Sequence, residues 1–401
     1  LAKLREKTIK GQEPKYGQLH TVQWDRVIFD EAHHLRNRNT RNHKSACNIR
    51  ASHKWLVTGT PIQNSIGDYY GVCAVIGMSQ QFYIKKENIP TITSRLILKR
   101  TKEGVGIDLP LLKRTIVIVP WASKMEKQFA EDVHVQLSFS RISICREDNP
   151  FIGIYNHHFA ILQTAHKSCI SMRLMKQKQV CEGYSLEELM NHHSKLDKVI
   201  EIIIERKGNG RPKLVFCHYH MEIDMIIDGL CGLDLKVCKF DGRVLKTERG
   251  AMLESNDIDV MVVQIKSGCE GLNLQQFKEV YFVTPHWNPA VEDQAVARCH
   301  RIGQDSSVDV FSFKMEPFDE NRVTRNMDLY VKDIHRMKRT DMKLIEVEQV
   351  GHGAELTDKC PICIKNQHKH THEQLECGHC FHKECIAKWF EKSSLCPICR
   401  G

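Results

Sequence analysis

The stretch Val27–Asn37, "VIFDEAHHLRN", decides how the rest of the chain is read. An apolar run, Val27-Ile28-Phe29, stops at Asp30-Glu31-Ala32-His33. A buried strand of a parallel sheet delivers polar groups to its carboxyl edge in this way. Asp30 is then placed to hold Mg²⁺, usually through water, and Glu31 to orient and deprotonate a water that attacks a phosphate. The four letters fit a plainer use equally well, because an Asp-Glu pair after a strand also caps the next helix. A nucleotide site on this strand needs a phosphate-cradling glycine loop earlier in the chain, and 29 residues precede Asp30. Such a loop, its helix and the next strand take roughly 30 residues or more. Neither Gly-Lys-Thr nor Gly-Lys-Ser occurs anywhere. The segment "GQEPKYGQL" from Gly11 has the wrong spacing, with Gln18 where Lys is needed. The loop is therefore expected upstream of Leu1, a start without Met that suits a fragment or a processed chain.

Around this stretch the first 120 residues alternate short apolar runs with polar turns. "RVIFDEAH", "KWLVTGTP" and "RTIVIVP" read as strands. From Ala122 to Arg206 the period turns helical, as in "SKMEKQFAEDVHVQL" and "SLEELMNHHSKLDKVIEIIIERK". The break "KGNGRP", Lys207–Pro212, restarts strand-like runs: "KLVFC", "LKVCKF", "DVMVVQ", "EVYFV" and "VDVFSF", separated by helix-sized gaps. Strands alternating with helices imply a parallel sheet covered on both faces. Asn321 to Gln349 is charged and helical, "GHGAELTDK" is a polar connector, and Cys360 opens a small terminal module. The division predicted is 1–120 for the end of one α/β lobe, 121–191 for a helical insertion, 192–325 for a complete second lobe, 326–355 for a helical connector and 356–401 for the cysteine-rich tail.

The 401 residues are 41% hydrophobic and 27% charged, an ordinary globular composition. No apolar run approaches the roughly 18 residues of a membrane span, and no secretory signal is readable. The formal charge of +9 suits a polyanionic partner and equally a lysine-rich solvated surface. Ten of the 17 cysteines are scattered singly from Cys47 to Cys299, which suggests a reducing compartment, and seven lie between Cys360 and Cys399.

Three further blocks carry chemistry. In "WLVTGTPIQN", Trp55–Asn64, a strand ends in Thr58-Gly59-Thr60-Pro61, two hydroxyls flanking a glycine, which suits a switch sensing a neighbouring phosphate and also a simple Gly-Pro turn. "KSGCEGLNLQ", Lys266–Gln275, has glycines that permit close approach to a phosphate backbone. "PHWNPAVEDQAVARCHRIGQ", Pro285–Gln304, sets Arg298 and Arg301 three apart on one predicted helical face, with Gln294 one turn earlier. In isolation these are two surface arginines; from a lobe facing Asp30 they reach a γ-phosphate.

These blocks in this order resemble the superfamily 2 helicase-like ATPases of the Swi/Snf group. The resemblance is carried by "DEAH", "TGTPIQN", "LILKRTKEGVGIDLP", "SKLDKV", "KLVFCHYHMEID", "FDG", "GLNL" and "WNPAVEDQAVARCHRIGQ". It implies two RecA-like lobes, the first incomplete here, with ATP and Mg²⁺ as cofactors and ATP-driven translocation on double-stranded DNA without strand separation. By matching position Asp30 and Glu31 are the metal and water residues and Arg298 and Arg301 the arginine fingers. His33, Thr58, Gly59, Thr60, Gly271, Leu272, Asn273 and Gln294 then couple nucleotide to DNA. The Trp287-Asn288-Pro289 lead-in separates the chain from DEAH-type RNA helicases. Cys269-Glu270 departs from the usual small pair before "GLNL" and adds a charge near the expected DNA path. "KLVFCHYH" and "QIKSGCEGLNLQ" resemble versions in large DNA viruses, so the expected location is the nucleus or a viral replication compartment. Without the phosphate loop, the 401 residues alone are not expected to hydrolyse ATP appreciably.

The tail reads Cys360-x2-Cys363-x13-Cys377-x-His379-x2-His382-x2-Cys385-x10-Cys396-x2-Cys399. Eight ligands in four pairs suit two tetrahedral Zn²⁺ ions. About 45 residues cannot build a sufficient core, so metal is expected to supply the folding energy. The spacing resembles a RING-type finger with two central histidines. The resemblance implies interleaved pairs: Cys360, Cys363, His382 and Cys385 on one zinc, Cys377, His379, Cys396 and Cys399 on the other, with Cys380 spare. His368, His370 and His372 fall in the variable loop. It also implies a ubiquitin-conjugating enzyme and ubiquitin as partners, contacted by Ile362, Trp389, Pro397 and Arg400. Trp389 fits plain core as well, and Arg400 a charged chain end. The expected whole is a DNA translocase fused to a ubiquitin ligase, in DNA repair or transcription; the other reading is a DNA-tethered ligase scaffold that no longer hydrolyses.

Overall fold

The first lobe is built on two parallel strands, β1 (Trp24–Phe29) and β2 (Ala51–Leu56), with Phe29 opposite Leu56. A computed structural model describes residues 17–60, 62, 66–100, 102, 104, 106–135, 156–175, 184, 190–255, 257–265, 272–319, 325–343, 360, 362–363, 372–375, 380–391 and 397. A 3-10 turn, Ala32–Leu35, follows β1. Helix α1 (Arg41–Asn48) then starts at Thr40, whose hydroxyl accepts from the His43 amide. Helix α2 (Ile66–Val75) crosses behind. Phe29, Ala32, Leu35, Ala46, Ile49 and Val75 close one core against one face of the pair. On the strands Ile28 and Trp55 are 59% and 44% exposed. At Gly71 a Cβ would lie 1.9 Å from the Arg36 carbonyl, so a side chain there would drive α2 off the turn that follows Glu31.

The second lobe is a six-stranded, all-parallel sheet. Its strands are β3 (Leu112–Val119), β4 (Lys213–Cys217), β5 (Val237–Phe240), β6 (Val260–Gln264), β7 (Glu279–Phe282) and β8 (Val308–Met315), in the order β3-β8-β7-β4-β6-β5. β4 is buried along its whole length because helices cover both faces. Alternation sends Leu214 and Phe216 into one core and Val215 and Cys217 into the other. The Val215 side is covered by α3 (Lys124–Val135), α4 (Asn156–Ser168), α5 (Ser194–Glu205), α6 (His220–Leu230) and the start of α9 (Met327–Lys343). Leu196, Val199 and Ile203 form the helical stripe that seats α5. Each fully buried side chain of this kind contributes about 1.5–3 kcal/mol. The Leu214 side is covered by α8 (Pro289–Cys299) through Ala295, Val296 and Cys299. Helix α7 (Lys246–Glu254) follows β5, and Met252 and Leu253 pack against that core.

One boundary differs from the sequence reading. "RTIVIVP" is a strand, but it extends the second sheet: Leu112–Val119 pairs along its length with Val308–Met315. Alternation identifies a strand and leaves its partner open, and this partner lies almost 200 residues on. The helical insertion belongs with the same lobe, since Phe129, Val133, Leu162 and Ala165 share its core.

The lobe is also pinned by a buried ion pair. Lys195 on α5 and Asp328 on α9 are 2.6 Å apart with neither side chain exposed. Lys195 also reaches the Thr284 hydroxyl, and Asp328 accepts the Met315 amide. Asp328→Ala strands a buried ammonium and is expected to cost about 3–5 kcal/mol. The double change Lys195→Met/Asp328→Leu should cost less, as the denaturant midpoints of the two variants will show.

The chain divides into two compact units, residues 1–89 with 109–345 and residues 90–108 with 346–401. In the second, β9 (His372–Gln374) and β10 (Cys380–His382) form an antiparallel pair, and α10 (Lys383–Phe390) follows. Its small core is Cys360, Phe381 and Ile386.

Candidate functional site

β1 ends at Phe29, and the next two residues turn sharply. The Ala32 amide donates to the Val57 carbonyl at 2.9 Å, which holds the turn against the end of β2. Asp30 is exposed there, its carboxylate accepting the Glu31 amide at 2.9 Å. Glu31 sits at φ 47°, ψ 47°, in the left-handed region that a side chain rarely adopts. Such strain is characteristic of functional turns. His33 is buried directly behind, its Nδ1 3.2 Å from Glu31 Oε2 and 3.3 Å from Thr58 Oγ1. One imidazole thus joins the two blocks of the first lobe. Thr58 Oγ1 also accepts the Thr60 amide at 3.1 Å.

Helix α8 of the second lobe faces this turn. Asn288 caps it by accepting the Ala290 amide, and Pro289 occupies the first turn. The Arg298 guanidinium lies 3.6 Å from Glu31 Oε1, and Gln294 donates to Thr60 Oγ1 at 3.1 Å. The four-residue spacing puts both on one face, as read from sequence. Arg301 is not on that face. The helix stops at Cys299, because His300 turns out to bond the Pro110 carbonyl at 2.6 Å and Gln304 caps the Cys299 carbonyl at 2.9 Å. Arg301 is exposed on the turn beyond.

The "GLNL" block is tied to the same helix by a link that no residue pattern announces. The Leu274 amide donates to the Arg298 carbonyl at 3.3 Å. Leu272 packs partly into the second-lobe core, and Asn273 lies between. Gly271 lies outside the described residues. Glu292, also unremarked in the sequence, accepts the His286 amide at 2.7 Å and steadies the turn before α8. Burial pushes its carboxyl up to about 7, against the His286 N–H that draws it down.

In the second unit, Cys360, Cys363, His382 and Cys385 offer ligand atoms within 4.8 Å of one another. Cys363 Sγ is 3.2 Å from His382 Nδ1, and the His382 amide points at Cys360 Sγ at 3.3 Å. Three thiols and one imidazole converging this closely fit a tetrahedral zinc ion. Cys377, His379, Cys396 and Cys399, the other expected set, lie outside the described residues, as does Arg400. Ile362 packs partly into the small core, Trp389 on α10 is 36% exposed and Pro397 is half-buried.

Comparison with known proteins decides the family. The SNF2-related domain matches residues 7–196, the helicase conserved C-terminal domain residues 194–303 and the ring finger domain residues 358–400. The chain belongs to the SNF2-related, helicase-like ATPases and carries a RING-type zinc finger. The chain is 26% identical to the "Probable global transactivator" of Orgyia pseudotsugata multicapsid polyhedrosis virus over 368 residues, covering 82% of this chain and 66% of that one. It is 25% identical to human "Chromodomain-helicase-DNA-binding protein 8" over 369 residues, covering 83% of this chain and 14% of that one. The chain therefore spans only part of the length of the curated relatives it matches. A solved structure, the C-terminal part of the Fun30 ATPase domain, aligns with a TM-score of 0.39 at 15% identity over 59% of this chain and 99% of that one. Among the described residues, no helix is long and apolar enough to cross a membrane.

Proposed function

We propose that the protein is an ATP-driven translocase on double-stranded DNA, joined to a RING-type ubiquitin ligase and acting in DNA repair or transcription, in the nucleus or a viral replication compartment. The observation that carries the motor half is the double contact across the lobes, Arg298 to Glu31 and Gln294 to Thr60. Contacts of this kind let one lobe complete a hydrolytic site on the other.

ATP with Mg²⁺ supplies the phosphoryl group and neutralises its charge when bound. Asp30 would hold the metal, and its exposed carboxylate at the strand end fits that task. Glu31 would align a water and accept its proton, with the His33 ring fixing the carboxylate. Arg298 would swing from Glu31 to the transferring phosphoryl group, where a guanidinium stabilises dispersed negative charge. Arg301 would be the second finger in this reading, acting from the turn after α8. Thr58, Gly59 and Thr60 would pass the state of the site to Gln294 and α8. The Leu274–Arg298 bond would pass it on to Gly271, Leu272 and Asn273 on the DNA side. Phosphate contacts would dominate DNA affinity, which should fall steeply with salt.

In the RING-type module one zinc would sit on Cys360, Cys363, His382 and Cys385 and the other on Cys377, His379, Cys396 and Cys399. Ile362, Trp389 and Pro397 would receive a ubiquitin-conjugating enzyme, and Arg400 would steady its ubiquitin thioester, so the module works by positioning. Autoubiquitination with purified conjugating enzymes tests this half. Ile362→Ala and Arg400→Ala are each expected to reduce ligation by about tenfold or more, the effect of losing one anchoring contact of a small interface. Ligation unchanged in both variants removes the ligase reading and leaves a zinc-bound interaction module.

A further inference from the structure

The turn that leads into α8 is held by side chains. Glu292 accepts the His286 amide, His335 Nε2 on α9 donates to the His286 carbonyl at 2.5 Å, and Lys338 Nζ donates to the Trp287 carbonyl at 3.1 Å. The His286 ring closes the turn on itself. Its Nδ1 lies 3.1 Å from the Asn288 amide nitrogen and 3.2 Å from the Asn288 carbonyl oxygen. A backbone N–H can only donate, so Nδ1 accepts it and the ring is neutral, with its proton on Nε2. The same Asn288 carbonyl accepts the Val291 amide at 3.1 Å, a backbone bond of the first turn of α8. The face of the His286 ring stacks on His218, just past β4, with centroids 5.6 Å and planes 8° apart. His218 in turn meets the buried His166 of α4 edge-on at 4.9 Å. Burial and the neighbouring His218 and Lys195 hold His166 well below the usual imidazole range, so it stays neutral.

We propose that His286 is a positioning residue that senses acid. As a neutral ring it accepts the Asn288 amide and fixes the direction in which α8 leaves the turn, and with it the reach of Gln294 to Thr60 and of Arg298 to Glu31. A proton on Nδ1 ends that bond, because two N–H groups then face each other. Nδ1–H can instead donate to the Asn288 carbonyl, in competition with the Val291 amide, and the first turn of α8 loosens. The bond is present while the ring is neutral and is lost as pH falls. Charged and titratable groups face the stack from the helices around it. Glu292 on α8 and Glu222 on α6 accept the His286 and His218 amides and favour a proton on the rings. Lys195 on α5, Lys338 on α9 and Lys167 on α4, which lies over the Tyr219 ring, oppose one. Burial pushes His335 down to about 4, so its ring stays neutral. Burial also pushes both carboxyls up to about 7, so they titrate over the range in which an imidazole does, and a variant has to separate them from His286.

Amide hydrogen exchange on the nucleotide-free protein tests this at the start of α8, residues 290–294. It is read as protection factors, so that the intrinsic pH dependence of exchange drops out. In the wild type, protection there should fall by about fivefold between about pH 8 and pH 5, the effect of one lost hydrogen bond, while the sheet keeps its own. His286→Phe keeps a ring on His218 and removes the acceptor, so it should show the low protection throughout. His286→Asn is the rescue: an Asn side-chain oxygen reaches the amide two residues on and does not titrate, so protection should stay high throughout. If His286→Asn loses protection in acid as the wild type does, one of the carboxyls or another histidine is the sensor and the proposal is overturned. Equal protection in all three proteins at every pH overturns it as well. If His286→Phe folds poorly, wild type against His286→Asn decides alone. The meaning for hydrolysis rests on the motor reading above, under which kcat should follow protection through the three proteins. Exchange needs neither ATP nor DNA. The expected protection pattern in a protein without DNA-stimulated hydrolysis would sink the motor reading and leave this one standing.

Discussion

Arg298→Ala is expected to lower DNA-stimulated ATP hydrolysis by about 10³-fold or more, the usual effect of removing an arginine finger. The fall should appear in kcat with KM little changed, because the guanidinium acts on charge that develops in the transition state. Structure should survive the change. The contact to Glu31 is 3.6 Å long and both side chains are partly exposed, so its contribution to stability is about 0–1 kcal/mol. The bond that anchors this part of α8 to "GLNL" uses the Arg298 carbonyl, which alanine keeps. Gln294→Ala removes one neutral hydrogen bond to Thr60 and should cost about fivefold, in line with roughly 1 kcal/mol. Steady-state rates on the longest natural form of the protein, with saturating double-stranded DNA, provide the measurement. The outcome that overturns the assignment is specific: Arg298→Ala within about tenfold of wild type, which would leave the guanidinium beside Glu31 without a role in the transition state.

Much of this was legible in the sequence, and the failures have physical causes. The five apolar runs from Lys213 onward announced a parallel sheet because strands buried on both faces have little freedom in composition. The strand Leu112–Val119 was legible as a strand and not as a member of that sheet. Parallel pairing joins segments far apart, and side-chain alternation carries no record of the neighbour. Gln294 and Arg298 follow from helical spacing. Arg301 does not, because the helix ends on a carbonyl contributed by Pro110, a long-range contact invisible to local pattern. Both pairs of one expected zinc set could be drawn from Cys-x2-Cys and His-x2-Cys spacing, and His382 and Cys385 do converge on Cys360 and Cys363. The strain at Glu31 was hidden for a different reason: a left-handed residue is usually flagged by Gly or Asn, and here a carboxylate stands in that place.

Removing zinc is expected to unfold the RING-type module while the two lobes stay folded. The described part of the module fully buries only Cys360, Phe381 and Ile386, and the first of these is a ligand. Two apolar side chains contribute about 1.5–3 kcal/mol each, whereas ordering the backbone costs about 1–2 kcal/mol per residue. The difference has to come from the metal, for which structural zinc supplies on the order of 10–16 kcal/mol. A chelator, or Cys360→Ser, should therefore make residues 380–391 exchange their amides freely and open the module to protease, with the lobes protected as before. Elemental analysis should find about two zinc ions per chain, the number that four ligand pairs hold. His370→Ala is the control and should change neither, since that residue lies outside both ligand sets. Acid should mimic the chelator. Thiolates and imidazole bind metal only when deprotonated, so protons compete for every ligand and the module is lost as pH falls, not as it rises. Two results would break the argument: a chelated module whose residues 380–391 remain protected, or a Cys360→Ser protein that keeps its full zinc content. The first would mean that Phe381 and Ile386 hold the fold without metal, and the second that Cys360 is a reduced neighbour and not a zinc ligand.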